Sequence, residues 1–386
     1  MNNLAIDIGR VSINHYGETL CGDHSEEVVA KDGSQIIVLA DGLKSGVKAC
    51  ILSTLTAKII STMLAEGLSL AECVATVAQT LPISSEYGVA YSTFSIIHII
   101  NNRRAEIMEY ENPRVIMIRD SEVVPLHVRE RIISGKTILQ SSVELKEGDT
   151  FIMMSDGVPG ANADLTYNKD WTEEHIGEFV SALTFAGYNA KSLATFLIEE
   201  CDKLYAGKPH DDCTACIVRA IKRQSANILF GPPVTINDSA RMVDLFMSKV
   251  GLKIVCGGST ANMLAHHLGD LPVCFDKTHV RIEGPPMSHI DGIDYVTEGV
   301  ITMSKVLEYT NRMLHEGMRI EEADNDAAAI LLRVLLEDVT DVTLFVGLAV
   351  NPAHNLGIKF HIKEDIAEKL ATNLRIMGKN VKISYF

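Results

Sequence analysis

The apolar and polar positions of the chain divide it into two blocks with different patterns. In the first block, short apolar runs rich in β-branched residues predict strands, and the helical patterns come in pairs. In the second block, single strands alternate with single helices, which is typical of a mostly parallel sheet covered by helices. The pattern of the first block changes to that of the second between residues 222 and 227. We therefore predict an α+β domain in residues 1–222, with two sheets and helices outside them, and a three-layer α/β domain in residues 227–386.

Turn and capping residues bound the predicted elements of the first block. The dipeptide Asp32-Gly33 predicts a hairpin turn, because it suits the backbone angles of a two-residue hairpin. Ser69 and Glu72 have the spacing of a helix capping box. The predicted strands are 4–14, 28–31, 35–40, 91–100, 105–110, 114–119, 122–127, 151–156 and 213–221, and the predicted helices are 47–64, 70–81, 173–185 and 190–205.

The elements of the second block follow one another in a regular order, strand then helix, with glycine-bearing loops between them. The predicted strands are 227–230, 253–256, 272–275, 293–296, 342–346 and 381–386, and the predicted helices are 238–250, 261–268, 302–315, 327–337 and 364–377.

Acidic residues lie at the ends of strands that are far apart in the first block. Asp41 ends the apolar run 36–40, and Asp156 ends the apolar run 151–154. Asp211 precedes the last predicted strand. Carboxylates that converge from distant strand ends repel one another, and hard divalent cations, which take oxygen ligands, offset that repulsion. The pattern therefore favours a site for divalent metal ions.

Four short motifs occur in a fixed order, and together they resemble a known family. They are Gly22-Asp23, Ala40-Asp41-Gly42 with Ser45-Gly46, Ser155-Asp156-Gly157 and Asp211-Asp212-Cys213-Thr214. Their order and approximate spacing resemble the metal-dependent serine/threonine phosphatases of type 2C, and the bacterial SpoIIE-like branch in particular. The resemblance covers roughly residues 1–222.

This resemblance implies an αββα sandwich that holds two Mn²⁺ or Mg²⁺ ions at one end of its sheets. It implies that Asp41 bridges the metals, that Gly42 donates its carbonyl, and that Asp156 and Asp211 are ligands. Asp23 would support the site directly or through water. Asp212 is either a ligand or an acid just behind the ligands. Asp41, Asp156 and Asp211 are thus the predicted catalytic residues.

The implied activity is hydrolysis of phosphoserine or phosphothreonine on a bacterial regulatory protein. Two cations lower the pKa of a shared water, and the bridging hydroxide attacks phosphorus in line, so no protein nucleophile is needed. Two departures from the family concern phosphate binding. Glu18 stands where many eukaryotic members carry an arginine, and Lys44 stands in a turn where glycine or a small residue is commoner. Lys44 could reach a phosphate oxygen, or it is a solvated turn residue.

Other interpretations of the first block remain open. The acids could be ordinary turn and cap residues, and the chain a non-catalytic metal- or ligand-binding scaffold. The same chemistry could instead act on a small phosphate ester. His24 is more typical of a surface histidine than of a general acid. A zinc site at Cys213 and Cys216 is disfavoured, because residues three apart on a strand point to opposite faces.

In the second block, Gly257, Gly258, Ser259 and Thr260 join a strand to a helix. This arrangement places a helix N-terminus and bare amides against an anion, so we predict a site for a small-molecule effector or a partner. The alternative is a plain strand-to-helix turn with Ser259 as the cap. Further glycine-bearing or strand-end loops at 283–286, 297–299 and 351–355 could line the same crevice. Cys256 is expected to be a buried strand thiol.

Composition limits the partners. The net charge of −15 over 386 residues argues against nucleic acid, which basic proteins bind. We find no run of about 18 apolar residues, so no membrane span is expected. The start of the chain has no export signal, and the eight cysteines are expected to be reduced thiols of a cytoplasmic protein.

Overall fold

The structure is a computed structural model in which the chain forms two compact units, Met1–Lys222 and Arg223–Phe386. It describes residues 3–80, 92–161, 171–235, 237–275, 284, 287–349 and 362–386. Four predicted features lie wholly or partly outside the described residues. They are the last residue of the helix 70–81, the first residue of the strand 91–100, and the loops 283–286 and 351–355.

The first unit contains eleven strands and five helices among its described residues. The strands are β1 (Leu4–Ile13), β2 (Asp23–Val29), β3 (Gln35–Asp41), β4 (Thr93–Ile100), β5 (Arg104–Tyr110), β6 (Ile116–Arg119), β7 (Glu122–Val124), β8 (Arg129–Ile133), β9 (Lys136–Glu144), β10 (Thr150–Met154) and β11 (Cys213–Lys222). The helices are α1 (Val47–Ala65), α2 (Leu70–Thr80), α3 (Gly157–Gly160), α4 (Glu173–Phe185) and α5 (Ala190–Leu204).

These elements form four layers. One antiparallel sheet has the order β2-β3-β4-β5-β9-β8, and the other has the order β1-β11-β10-β6-β7. An apolar cluster that includes Ile37, Ile97 and Val218 fills the space between the sheets. Separate clusters lie under α1 and α2 on the outside of the first sheet, and under α4 and α5 on the outside of the second. The predicted αββα sandwich is confirmed.

The hairpin of β8 and β9 was not predicted, and its residue pattern explains why. β8 is the edge of its sheet, and its first four residues are exposed, so charged side chains replace the apolar alternation of a half-buried strand. The turn between the strands has positive φ angles at Ser134 and Gly135, as a two-residue hairpin requires. β2 likewise begins five residues earlier than the predicted 28–31, at Asp23, since its polar first half pairs with β3.

Helix α1 is long and apolar enough to cross a membrane by its length and composition alone, although no membrane span was expected from the sequence. Its small residues Ala49, Ser53 and Ala57 are buried, and the helix packs against β2 and β3. In this structure the helix therefore covers one sheet of the sandwich. The capping box at the start of α2 is confirmed, because the Glu72 carboxylate accepts from the backbone amide and the hydroxyl of Ser69.

The second unit contains seven strands and five α-helices among its described residues. The strands are β12 (Ser225–Phe230), β13 (Leu252–Cys256), β14 (Cys274–Phe275), β15 (Ser288–His289), β16 (Tyr295–Thr297), β17 (Asp341–Val346) and β18 (Asn380–Tyr385). The helices are α6 (Asn237–Ser248), α7 (Gly258–His267), α8 (Val300–His315), α9 (Ala327–Arg333) and α10 (Ile362–Ile376), and a π-helical stretch, Val334–Asp338, continues α9.

The five strands β16-β13-β12-β17-β18 of this unit are parallel, and they lie in a doubly wound order. One apolar cluster packs α8, α9 and α10 on one face, and another packs α6 and α7 on the opposite face. The three-layer α/β prediction is thus confirmed. The short antiparallel strand β15 was not predicted. The chain order reverses direction across the sheet between β12 and β17, and this is where open α/β sheets bind ligands.

A buried ion pair ties β6 to the turn before β10. Asp149 is fully buried, and its carboxylate accepts from Nε and Nη2 of Arg119, each at 2.7 Å. The backbone amide of Lys146 donates to the same carboxylate at 2.7 Å. The Asp149 charge is removed from water, whereas the Arg119 side chain remains partly exposed and also donates to the carbonyl of Glu144 at 2.9 Å.

We predict that Asp149→Asn lowers the free energy of unfolding of the first unit by roughly 1–3 kcal/mol, because the amide nitrogen that replaces one buried carboxylate oxygen cannot accept the hydrogen bonds that Arg119 and the Lys146 amide donate. The matched control is Glu106→Gln, which neutralises the exposed ion pair with Arg104 (2.7 Å) and should cost less than about 1 kcal/mol. Denaturant unfolding of the two variants provides the comparison. Equal losses of unfolding free energy in the two variants would show that the Arg119–Asp149 pair stabilises the unit no more than the exposed pair does.

Candidate active site

The strand register brings acids of the first unit to one end of the sandwich. Asp23, the first residue of β2, lies directly opposite Asp41, the last residue of β3. In the other sheet, Asp156 follows β10 and Asp212 precedes β11. These two positions are joined because the amide of Ser155 donates to the carbonyl of Thr214 at 3.0 Å. The adjacent ends of paired antiparallel strands thus place the acids that the motifs singled out.

The carboxylate of Asp41 interacts with acids from both sheets. Burial raises its pKa to about 10, and the negative charges of Asp23, Asp156 and Asp211 act in the same direction. The backbone amide of Asp156 approaches the Asp41 carboxylate and opposes that shift. The pKa of Asp211 is also raised, first by burial and then by Asp156. Asp41 is therefore the acid that faces most of the others.

Asp23 and Asp212 lie deepest. Burial raises the pKa of Asp23 to about 7, although the nearby hydroxyls of Ser155 and Thr214 lower it in part. Neither oxygen of Asp23 has a hydrogen-bond partner of good geometry among the described residues. Asp212 accepts from the backbone amide of His15 at 3.0 Å through Oδ1, but its Oδ2 has no such partner. Buried carboxylate oxygens without donors are costly, and they point to a missing positive group.

Glycines beside the acids let backbone segments meet. A Cβ on Gly42 would lie 2.3 Å from the carbonyl oxygen of Ala49, and a Cβ on Gly157 would lie 2.2 Å from that of Asp212. At Gly22, a Cβ would lie 2.7 Å from Oδ2 of Asp212. The Asp-Gly or Gly-Asp pairs at 22–23, 41–42 and 156–157 therefore have a steric cause, which is the close approach of other site segments.

The donor set fits hard divalent cations. It consists of carboxylates with unsatisfied oxygens and the Asp41–Gly42 segment at their centre, and oxygen is the ligand that Mg²⁺ and Mn²⁺ take. Among the described residues, no three acidic, histidine or cysteine side chains form a ready-made cage around one ion.

Some residues near the acids carried no sequence signal. His15 lies in the loop before β2, where nothing in the sequence distinguishes its amide, which reaches Asp212. Tyr205 follows α5, and its hydroxyl donates to the carbonyl of Gly157 at 2.9 Å. The thiol of Cys21 lies 3.8 Å from the hydroxyl of Thr214, and burial raises its pKa to about 12. Long-range packing creates these contacts, so no local pattern could have indicated them.

The structure also shows where Lys44, Glu18 and His24 lie. Lys44 is exposed and has a φ of 69°, and this positive φ explains why glycine is favoured in this turn. The Glu18 carboxylate lies beside Gly46, where an added Cβ would be 2.6 Å from it. His24 approaches Glu26, at 3.2 Å, which supports the surface interpretation.

Cys213 faces the helical layer and Cys216 faces the space between the sheets, so the expectation that they do not share a metal is confirmed. All eight cysteines are free thiols.

In the second unit, α7 begins at Gly258, so the prediction that Gly258, Ser259 and Thr260 form a loop was wrong. The alternative role of Ser259 as the cap was wrong as well, because the N-cap is Gly257, with a φ of 120° and no side-chain cap. The hydroxyl of Thr260 accepts from the amide of Gly231 at 3.1 Å. This contact joins the ends of β12 and β13. Cys256 is buried as expected, and burial raises its pKa to about 12.

A half-buried lysine lies at the same edge of the second unit. The ammonium of Lys363 donates to the carbonyl of Ala349 at 2.8 Å, and it has no ion pair within the described part of the chain. A Cβ on Gly231 would lie 2.6 Å from this ammonium and 2.7 Å from the carbonyl oxygen of Gly347. The lysine therefore sits where the chain order reverses between β12 and β17.

We predict that Gly42→Ala lowers the free energy of unfolding of the first unit by about 3 kcal/mol, because the new Cβ meets backbone atoms of Ala49 that cannot rotate away. Gly33→Ala is the control. Gly33 has a φ of 83° but no atom within 4 Å of its Cβ position, so only backbone strain of about 1 kcal/mol is expected. Urea unfolding measures both, and a Gly42 variant no weaker than the Gly33 variant would contradict the steric argument.

Part of the chain matches a known protein family. Residues 31–221 match the family model described as stage II sporulation protein E (SpoIIE). No curated protein matches the chain.

Solved structures resemble the chain as well. The phosphatase domain of the cell fate determinant SpoIIE from Bacillus subtilis is 21% identical, with a TM-score of 0.44, over 57% of this chain and 95% of that one. The RsbU and RsbW domains of a Mycobacterium tuberculosis protein are 13% identical, with a TM-score of 0.48, over 64% and 71%. RsbX in complex with magnesium is 20% identical, with a TM-score of 0.39, over 57% and 97%.

The family match spans the Asp41, Asp156 and Asp211 motifs and lies within the first unit. Residues 31–221, which lie within the first unit, therefore match a SpoIIE-type domain.

Proposed function

We propose that the first unit is a metal-dependent phosphatase that hydrolyses phosphoserine or phosphothreonine on a bacterial regulatory protein. The observation that carries this proposal is the convergence of acids at one end of the two sheets, where Asp23 pairs with Asp41 and Asp23 and Asp212 are buried. A cation there would relieve both the repulsion between the acids and the cost of burying them. The family match supports the same class of reaction.

The residues take distinct roles in this proposal. Asp41 would bind both metals, since its carboxylate faces the acids of both sheets, and Asp156 and Asp211 would complete the ligands with the Gly42 carbonyl. Asp23 and Asp212 lie behind them and would hold metal-bound waters. Two Mn²⁺ or Mg²⁺ ions, when bound, would lower the pKa of water and stabilise charge on the phosphoryl group.

The thiols near the site support water as the nucleophile. Burial and the charge of Asp23 keep the pKa of Cys21 at about 12, so this cysteine stays protonated near neutral pH. Burial raises the pKa of Cys213 as well, and its thiol donates to the carbonyl of Gly157. Neither cysteine is activated as a thiolate. The free thiols and the net charge of −15 support a cytoplasmic chain that acts on protein rather than on nucleic acid.

We predict that the full chain hydrolyses an aryl phosphate in a Mn²⁺-dependent manner, and that Asp41→Asn lowers kcat at least about 100-fold because it removes the central carboxylate. The control is Asp120→Asn. Asp120 is exposed and has a φ of 52°, which asparagine tolerates, so its activity should equal that of the parent.

A phosphopeptide tested beside the aryl phosphate separates the protein substrate from a small ester. A parent that shows no turnover and no bound Mn²⁺ would leave a non-catalytic scaffold as the function.

For the second unit, we propose that a small anionic molecule binds at the carboxyl ends of β12, β13 and β17. The specific observation is the half-buried Lys363 ammonium, whose described partner is a carbonyl rather than a carboxylate. It lies beside Gly231, whose amide reaches the first turn of α7. Partial burial of an ammonium that no carboxylate among the described residues pairs with is unfavourable, and an anion would compensate it. Occupancy of this site would regulate the phosphatase or the presentation of its substrate.

We predict that inorganic pyrophosphate, used as the probe, binds the full chain and that Lys363→Gln weakens the binding about tenfold, because one charged contact is worth about 1.4 kcal/mol here. Lys369→Gln is the control, since Lys369 lies on the same helix but pairs with Asp365 at 2.8 Å. Calorimetric titration gives the affinities. Equal affinities for the two variants would rule out Lys363 as part of an anion site.

A further inference from the structure

One backbone carbonyl in the turn that carries Asp156 accepts hydrogen bonds from two side chains outside the turn. The carbonyl oxygen of Gly157 accepts a hydrogen bond from the hydroxyl of Tyr205 at 2.9 Å and another from the thiol of Cys213 at 3.0 Å. A carbonyl oxygen has two lone pairs, so both acceptor positions are filled. Gly157 is the first residue of the short helix α3, directly after Asp156.

This turn rests directly on the other acidic segment. A Cβ on Gly157 would lie 2.2 Å from the carbonyl oxygen of Asp212, so the two backbones are in contact. The hydroxyl of Ser155 donates to that same carbonyl at 3.3 Å and accepts from the amide of Thr214 at 2.9 Å. The loop after β10 and the loop before β11 therefore form one polar unit.

Tyr205 reaches this unit from a different element. It is the C-cap residue of α5, and 93% of the residue's surface is shielded, since its exposure is 7%. Burial raises the pKa of its phenol, and the neighbouring Cys213 acts in the same direction, so the hydroxyl keeps its proton and donates. The ring of His210 packs edge-on against it, with the centroids 5.7 Å apart. A rigid, buried donor thus links the end of α5 to the Asp156 turn.

We propose that Tyr205 is a positioning residue for the binding of a divalent cation by Asp156. The inference rests on the proposed function of the first unit. The Tyr205 hydroxyl fixes the Gly157 carbonyl, and this holds the Asp156 backbone amide toward the Asp41 carboxylate. The Asp156 side chain is then held in one position for the cation, because the turn keeps a single conformation. Partners behind a ligand commonly contribute tenfold or more to metal affinity.

A purely structural role for Tyr205 makes a different prediction. Tyr205 would then contribute to folding like any buried tyrosine, and its hydroxyl would leave the metal affinity of the folded protein unchanged. Tyr309 in the second unit is the matched control. Its exposure is 2%, and its hydroxyl accepts from the amide of Asp324 at 3.3 Å, so Tyr309→Phe also removes one buried hydroxyl.

The test measures Mn²⁺ affinity by electron paramagnetic resonance on the full chain, below the unfolding transition of every variant. Tyr205→Phe is expected to weaken Mn²⁺ binding about tenfold, and turnover should recover at saturating Mn²⁺. Tyr309→Phe is expected to bind Mn²⁺ as the parent does.

A second pair of variants keeps the test independent of any folding defect in Tyr205→Phe. Cys213→Ala removes the other donor to Gly157 and should also weaken Mn²⁺ binding, whereas Cys213→Ser keeps a donor and should restore it. Parent-like affinity in both Tyr205→Phe and Cys213→Ala would overturn this inference alone. A parent that binds no Mn²⁺ would overturn the proposed function, and this inference with it.

Discussion

Repulsion among buried carboxylates is the constraint on which the first unit depends. The pairing of β2 with β3 fixes Asp23 opposite Asp41, and the joined ends of β10 and β11 add further acids. No local change of conformation separates acids that a sheet register holds together. The apolar clusters between and outside the sheets stabilise this arrangement against its electrostatic cost. The sandwich is thus the support that keeps an unfavourable group of charges in place.

Close approach of backbone segments also contributes to the burial of these acids. Gly42 meets Ala49 at the start of α1, and Gly157 meets Asp212 before β11, each at distances that no Cβ would allow. The glycines let neighbouring segments press against the acids, which excludes water and raises the pKa of Asp41 and Asp23. Acid and glycine therefore occur together in the sequence for two linked reasons. The acid provides the ligand, and the glycine provides the space in which it is buried.

These reasons explain what could be predicted from the sequence. Apolar runs that end in Asp-Gly revealed Asp41 and Asp156, because burial and tight turns leave strong local signals. The edge hairpin of β8 and β9 left none, since its charged residues face solvent. His15 and Tyr205 left none either, because their contacts with Asp212 and Gly157 join segments far apart in the chain. Local pattern indicates which groups are buried, and only the fold shows which distant groups hold them.

In the second unit, the charge at the candidate site is positive rather than negative. Its candidate site also lies at strand ends, where Gly231 approaches Gly347 too closely for a side chain. The half-buried charge there is the ammonium of Lys363, paired within the described residues with a carbonyl and no carboxylate. Buried carboxylates without donors call for a cation, and a buried ammonium without a counter-ion calls for an anion. A charge that has no counter-ion among the described residues, at a glycine-lined strand end, is thus a stronger guide to ligand chemistry than the fold class of either unit.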